Sequence, residues 1–209
     1  MLGKLMAVMS GIALFACSAV GVREAEEPKY TVVAHLGDVE IRQYAPRIAA
    51  ETVVAAGEMD ARSIGFRRLA GYIFGGNQGG ARIAMTAPVA QDAAGTQIAM
   101  TAPVAQTRDA AGRWRIRFFM PASYTLATLP RPNDASVSLV TVPGETMAVL
   151  RFSGTTGTES VAAHTAALVK ALQGSAWRPA GEPVAWFYDP PWTLPPLRRN
   201  EVAVPVSPA

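Results

Sequence analysis

Apolar and polar positions alternate with a period of two along much of the chain and change to a helical period in two places, and these changes outline the fold. From Tyr30 to Leu36, the residues Tyr30, Val32, Ala34 and Leu36 share one face and Thr31, Val33 and His35 the other. Gly37-Asp38 turns the chain into a second strand, Val39 to Tyr44, and a third follows over Arg47 to Ala55. After Gly57 the spacing becomes helical: Met59, Phe66, Leu69, Ala70 and Ile73 fall on one stripe, and Gly75-Gly76-Asn77 ends the helix. Arg113 to Met120 alternates again. Trp114, Ile116, Phe118 and Met120 are predicted to face inward and Arg113, Arg115 and Arg117 to form a wet face.

Beyond a Pro-rich loop, Leu129 to Asn133, the same order returns without sequence identity. Strands are predicted over Val137 to Val142 and Thr146 to Ser153, then a helix from Ser160 to Gln173 with Val161, Leu168 and Leu172 as its apolar stripe. Thr156 and Glu159 have capping-box spacing, and Gly174 closes the helix. Val184 to Tyr188 and Glu201 to Val206 finish as strands. Two successive strand, strand, helix, strand, strand units predict a pseudo-duplicated α+β domain, its helices laid on a curved antiparallel sheet or barrel. Between the halves, Ile83 to Gln91 recurs unchanged at Ile98 to Gln106. The repeat reads as two strands of a meander joined at Asp92-Ala93-Ala94-Gly95, with Pro88 and Pro103 confined to strand ends, bulges or edges.

The amino end has a different character. Lys4 precedes an uncharged stretch from Leu5 to Val22, of which Leu5 to Ala16 has the length of a secretory apolar segment and falls short of the ~20 residues that span a bilayer. Residues 1–16 therefore read as a signal peptide. Leu14-Phe15-Ala16-Cys17 resembles a bacterial lipobox, which makes Cys17 a lipid-bearing first residue and residues 17–29 a tether to a folded domain over 30–209. Ser18 is compatible with outer-membrane sorting. Cleavage after Ala19 is the other reading and would release a soluble protein. Both place the domain outside the cytoplasm, and the first makes it a periplasmic lipoprotein.

Composition narrows the chemistry. One cysteine and two histidines in 209 residues exclude a disulfide framework, a zinc site of Cys and His ligands and a CxxCH haem attachment. A net charge of +3, spread without runs, gives no electrostatic reason for nucleic acid binding. No GxSxG, HExxH, P-loop or GxGxxG occurs, so no enzymatic activity is expected.

Several segments, taken in order, resemble the SOUL haem-binding protein family: Glu40-Ile41-Arg42-Gln43-Tyr44, Tyr72-Ile73-Phe74-Gly75-Gly76-Asn77, Met85-Thr86-Ala87-Pro88-Val89, Tyr188-Asp189-Pro190-Pro191-Trp192-Thr193 and Arg198-Arg199-Asn200-Glu201-Val202. The resemblance implies a distorted antiparallel barrel of two pseudo-repeats, each with one helix. It also implies non-covalent binding of haem or a related tetrapyrrole in a shallow apolar groove near the first helix. On that helix Phe66, Leu69 and Ile73 are candidates to contact the ring, and Arg67 and Arg68 to meet its propionates, since a guanidinium fork suits carboxylates. His35 and His164 are the two imidazoles available as axial ligands. Met85 and Met100 read as adaptable packing, and Arg198-Arg199 as a second anionic contact or a solvated turn. The expected role is haem transport, buffering or sequestration by a domain tethered to the membrane through Cys17. The alternative is a ligand-responsive or protein-interaction module with a partner that is not a tetrapyrrole.

Overall fold

The fold comes from a computed structural model that describes residues 25–93, 112–190 and 192–209. The signal segment, Cys17, the turn at Ala94-Gly95 and the second copy of the repeat, with Met100, lie outside the described residues. In chain order the elements are β1 Tyr30–Leu36, β2 Val39–Tyr44, β3 Arg47–Ala55, α1 Glu58–Ile73, β4 Val89–Ala93, β5 Arg113–Phe119, β6 Val137–Val142, β7 Glu145–Phe152, α2 Thr158–Leu172, β8 Trp177–Pro179, β9 Val184–Phe187, a 3-10 turn Pro195–Leu197 and β10 Asn200–Pro208. They form a curled antiparallel half-barrel in the order β1-β2-β7-β10-β9-β4-β5-β3-β6, with short β8 paired to the end of β10 and both helices packed on the sheet.

That order resolves the two units. β3, α1, β4 and β5 make one half and β7, α2, β9 and β10 the other, and they join where β4 pairs with β9. The first strand of each unit crosses over: β2 pairs with β7, and β6 pairs with β3. Neither unit therefore completes its sheet alone. Successive residues point to opposite faces. Ala50, Phe118, Ala148 and Val202 face the helices, while Ala49, Phe119, Met147 and Ala203 join Tyr44 and Trp186 in a cluster on the helix-free face.

Several local expectations change. A bulge between Val32 and Ala34 splits the face expected along β1. Tyr30 is left packed at a tilt against Tyr44, while Ala34 and Leu36 pack toward the α2 side. The arginines of β5 do not form a simple wet face: Arg115 meets Asp92 at 3.1 Å and Arg117 meets Glu51 at 2.7 Å, all half-buried. The capping box does not form, because Gly157 takes the N-cap of α2 and no side chain caps it. Of the first repeat copy only Val89 onward is strand. Before it Thr86 bridges to Glu26, and Ala87 N donates to Glu26 O. The domain thus makes contacts before Tyr30, within the stretch expected to be tether.

The stripe of α1 is also displaced. Its buried line is Ala61, Gly65, Leu69, Tyr72 and Ile73, so Met59 and Phe66 lie to one side of it. The small residues decide this. A Cβ on Gly65 would stand 2.7 Å from Ile116 Cγ1, so the missing side chain lets α1 lie directly on β5. Beyond the helix Gly75 takes φ +114, and buried Asn77 bonds Tyr72 O at 2.8 Å and Ala81 O at 2.7 Å through Nδ2. Gly65→Ala should destabilise the domain by about 1–3 kcal/mol through overpacking, although alanine is the better helix former. Urea unfolding measures it, and a variant at least as stable as the wild type would show that the close approach is absent.

Candidate functional site

Two regions gather chemistry. The first is the outer side of α1. Core packing accounts for Leu69 and Ile73, which are 0% and 1% exposed within the helix-side cluster and present no surface to a ring. The exposed apolar side chains are instead Met59, Phe66 and Phe74, at 48%, 39% and 59%. At 3.6 residues per turn Met59 and Phe66 fall within about 20° of each other, and Phe74, at the C-cap, stands about 80° round from Phe66, so this apolar ridge bends around the helix over about 22 Å. Phe66 is steadied from below by an edge contact with Phe118 at 5.3 Å. Arg67 is exposed beside the ridge and bonds only weakly to Ser63 O at 3.4 Å. Arg68 reaches the other way, to Thr52 Oγ1 at 3.3 Å. Neither forms an ion pair among the described residues.

The histidines are elsewhere. His35 is exposed on β1, opposite Glu40, at the far end of the sheet from the strands that α1 covers. His164 is half-buried on α2, stacked on Phe152 at 4.0 Å, with Nδ1 2.7 Å from Ser160 O. That bond makes Nδ1 the protonated nitrogen. The structure therefore brings neither imidazole to α1. Met85 is half-buried against the α1 cluster, as packing, and among the described residues no group of His, Cys, Asp and Glu side chains could hold a metal ion.

The second region lies on the helix-free face. Glu201, fully buried in β10, accepts five hydrogen bonds: two from Arg42 at 2.9 and 3.2 Å, two from Arg199 at 2.9 and 3.1 Å, and one from Tyr188 at 2.6 Å. Arg199 also clamps Glu27 at 3.0 and 3.1 Å, and its guanidinium lies 3.9 Å over the Tyr188 ring. Arg42 lies 4.3 Å over Tyr30. Burial by itself would raise the Glu201 pKa, but the bonds and charges of Arg42 and Arg199 outweigh it and hold the group below its ordinary value. Burial pushes Tyr44 up to about 12, against the pull of Arg42. These five donors leave Glu201 fully engaged within the protein.

Beside this network a groove of about 300 Å³ runs between residues 26–29 and the β2–β3 turn, walled by Pro46, Ile48, Phe119, Met120 and Tyr124. Arg47 lines it and is sandwiched between Tyr44 and Phe119 at 4.3 and 4.5 Å. Of this region the sequence reading singled out only Arg198-Arg199, and Arg199 is paired within the protein, with Glu201 and Glu27, rather than in a solvated turn. The signal available was a glutamate opening an apolar strand at Glu201-Val202-Ala203-Val204 and an arginine, Arg42, in a strand between Ile41 and Gln43. Glu201→Gln is expected to cost about 3–5 kcal/mol near neutral pH, by leaving buried cations undercompensated. Because the folded pKa lies below the ordinary 4.5, this stabilisation is complete above that value and is lost as pH falls through the folded pKa. Urea unfolding from pH 7 to 3 should show wild type and variant converging in acid; parallel curves would overturn the assignment.

Comparisons with known proteins agree with this fold. No curated protein matches the sequence. Among solved structures, the chain is similar to EcmrR in a DNA complex, at 10% identity and TM-score 0.57, covering 82% of this chain and 57% of that one. It is also similar to the EcmrR C-terminal domain, at 11% identity and TM-score 0.53, covering 86% and 99%. A third similar structure is a hydrolase from Listeria innocua, at 13% identity and TM-score 0.55, covering 81% and 92%. Identities this low carry the fold alone. The family comparison reaches further, since the model of the SOUL heme-binding protein family matches residues 25–205. That span takes in the α1 ridge, the Asn77 turn and the strands that surround Glu201, and the chain belongs to the SOUL heme-binding protein family.

Proposed function

We propose that the domain binds haem or a related tetrapyrrole non-covalently on the outer ridge of α1, for transport, buffering or sequestration outside the cytoplasm. Family membership supports the ligand class. The observation that carries the site is the ridge itself, three large apolar side chains between 39% and 59% exposed, two on α1 and one at its C-cap, while the opposite side of the helix is buried. A planar macrocycle laid against Met59, Phe66 and Phe74 removes that surface from water. Arg67, exposed beside the ridge, is the side chain placed to meet a propionate, and Arg68 would have to leave Thr52 to join it. With both imidazoles away from α1, binding rests on the apolar face and these cations rather than on histidine ligation.

Haemin titration of the mature chain, followed at the Soret band, tests this reading. The wild type should shift the band at micromolar haemin, and Met59→Ser with Phe66→Ser should weaken binding by at least about tenfold, as expected when two apolar contacts are lost. His35→Ala and His164→Ala should leave the Soret position unchanged. No shift for the wild type removes the proposal. It would leave the alternative that the groove beside Arg47 takes a different small molecule, favoured by its apolar walls and its volume of about 300 Å³.

The location belongs to the same proposal: residues 1–16 are removed and Cys17 carries the lipid that tethers the domain. Growth with radioactive fatty acid should label the wild type and not Cys17→Ala. An unlabelled wild type, or label that survives the substitution, overturns the anchor.

A further inference from the structure

The connection from β9 to β10 carries an apolar surface that the haem reading does not use. Trp192, Leu194 and Leu197 are 54%, 56% and 45% exposed within six residues. Leu197 N donates to Leu194 O at 2.9 Å, closing the 3-10 turn. Leu194 caps the turn and Leu197 ends it. The loop is held at its base. Thr193 is 1% exposed, Arg198 Nε donates to Thr193 O at 2.8 Å, and Gly154 N donates to Pro195 O at 2.9 Å. Pro195 and Pro196 stiffen it further. The result is a proline-braced loop on which Trp192, Leu194 and Leu197 each present about half of their surface.

Its position relative to the amino end gives it an occupant. Glu27 is clamped to Arg199 at 3.0 Å, two residues beyond Leu197. The chain thus enters the domain at the foot of this loop. Ten residues separate Glu27 from Cys17, a contour of at most about 35 Å. We propose that residues 192–197 are a membrane-contact loop, which seats the domain on the bilayer surface where Cys17 is anchored. Tryptophan favours the headgroup level and leucines the acyl boundary below it. Arg151, exposed in β7 near the loop base, and Lys29, exposed two residues from Glu27, place cations where phosphates of an anionic leaflet would lie. The geometry rests on Cys17 as the anchor, but the loop's own affinity for lipid does not need the modification.

The test uses the unlipidated mature chain, Ser18 to Ala209, with vesicles of phosphatidylethanolamine and phosphatidylglycerol. The wild type should co-sediment, and the triple variant Trp192→Ser, Leu194→Ser, Leu197→Ser should bind at least about tenfold more weakly with unchanged thermal unfolding, as loss of the inserted apolar groups requires. Brominated acyl chains should quench part of the wild-type fluorescence, and Trp192→Phe should bind but lose that quenching. A wild type that does not bind vesicles, or a triple variant that binds equally well, overturns the proposal. So does concentration-dependent self-association that the triple variant abolishes without any vesicle binding, which would make the loop a face between copies of the chain. Vesicle binding without fatty-acid label removes the anchor and keeps the loop, whereas label without vesicle binding removes the loop and keeps the anchor.

Discussion

A carboxylate with no access to water sits where the two halves of this domain interlock. Glu201 belongs to the last strand, Arg42 to the second, and Tyr188 and Arg199 flank the final connection, so one side chain holds together segments 159 residues apart. A buried charge of this kind is stable only when its lone pairs are filled, and here five donors fill them. The consequence is positional. β2 must lie beside β7 and β7 beside β10 for Arg42 to reach, which is the crossover that prevents either unit from closing alone. Glu27 is drawn into the same network through Arg199, so the entry point of the chain is set by it as well.

The two faces of α1 differ in how they are packed. Ala61 and Gly65 give up side-chain volume so that the helix axis approaches β5, and Leu69, Tyr72 and Ile73 then fill the core. The surface apolar residues are excluded from that core by the same close approach. Met59, Phe66 and Phe74 thus stay exposed at the surface. The helix-free face is different in kind: its centre is occupied by ion pairs and stacked guanidinium groups, and space opens only at its margin, beside Arg47.

EcmrR, a hydrolase from Listeria innocua and this chain share the half-barrel at 10–13% identity, so the fold by itself assigns no chemistry. What distinguishes this chain lies in its surface. An apolar ridge on α1 and a proline-braced apolar loop beside the amino end are separate features, one suited to a planar ligand and the other to a lipid boundary. Neither contributes to the core clusters that hold the sheet.

Period-two and helical spacing determined most of the elements, including β3 over Arg47–Ala55 and the inward face of β5, because burial of every second residue leaves a direct mark on local sequence. The segments that resemble the SOUL family were legible too, though their purpose was not. Tyr188, Arg199 and Glu201 lie close in the chain, but Arg42 is 159 residues from Glu201, and only the crossover of β2 brings it into the cluster. The capping box and the wet face of β5 failed as local readings because a glycine took the cap and partners on neighbouring strands paired the arginines. The candidate site divides in the same way. Phe66 and Arg67 on α1 were within reach of the sequence, whereas the burial of Leu69 and Ile73 and the distance of both histidines from α1 were decided by how closely Gly65 lets the helix sit on the sheet and by where the strands pair.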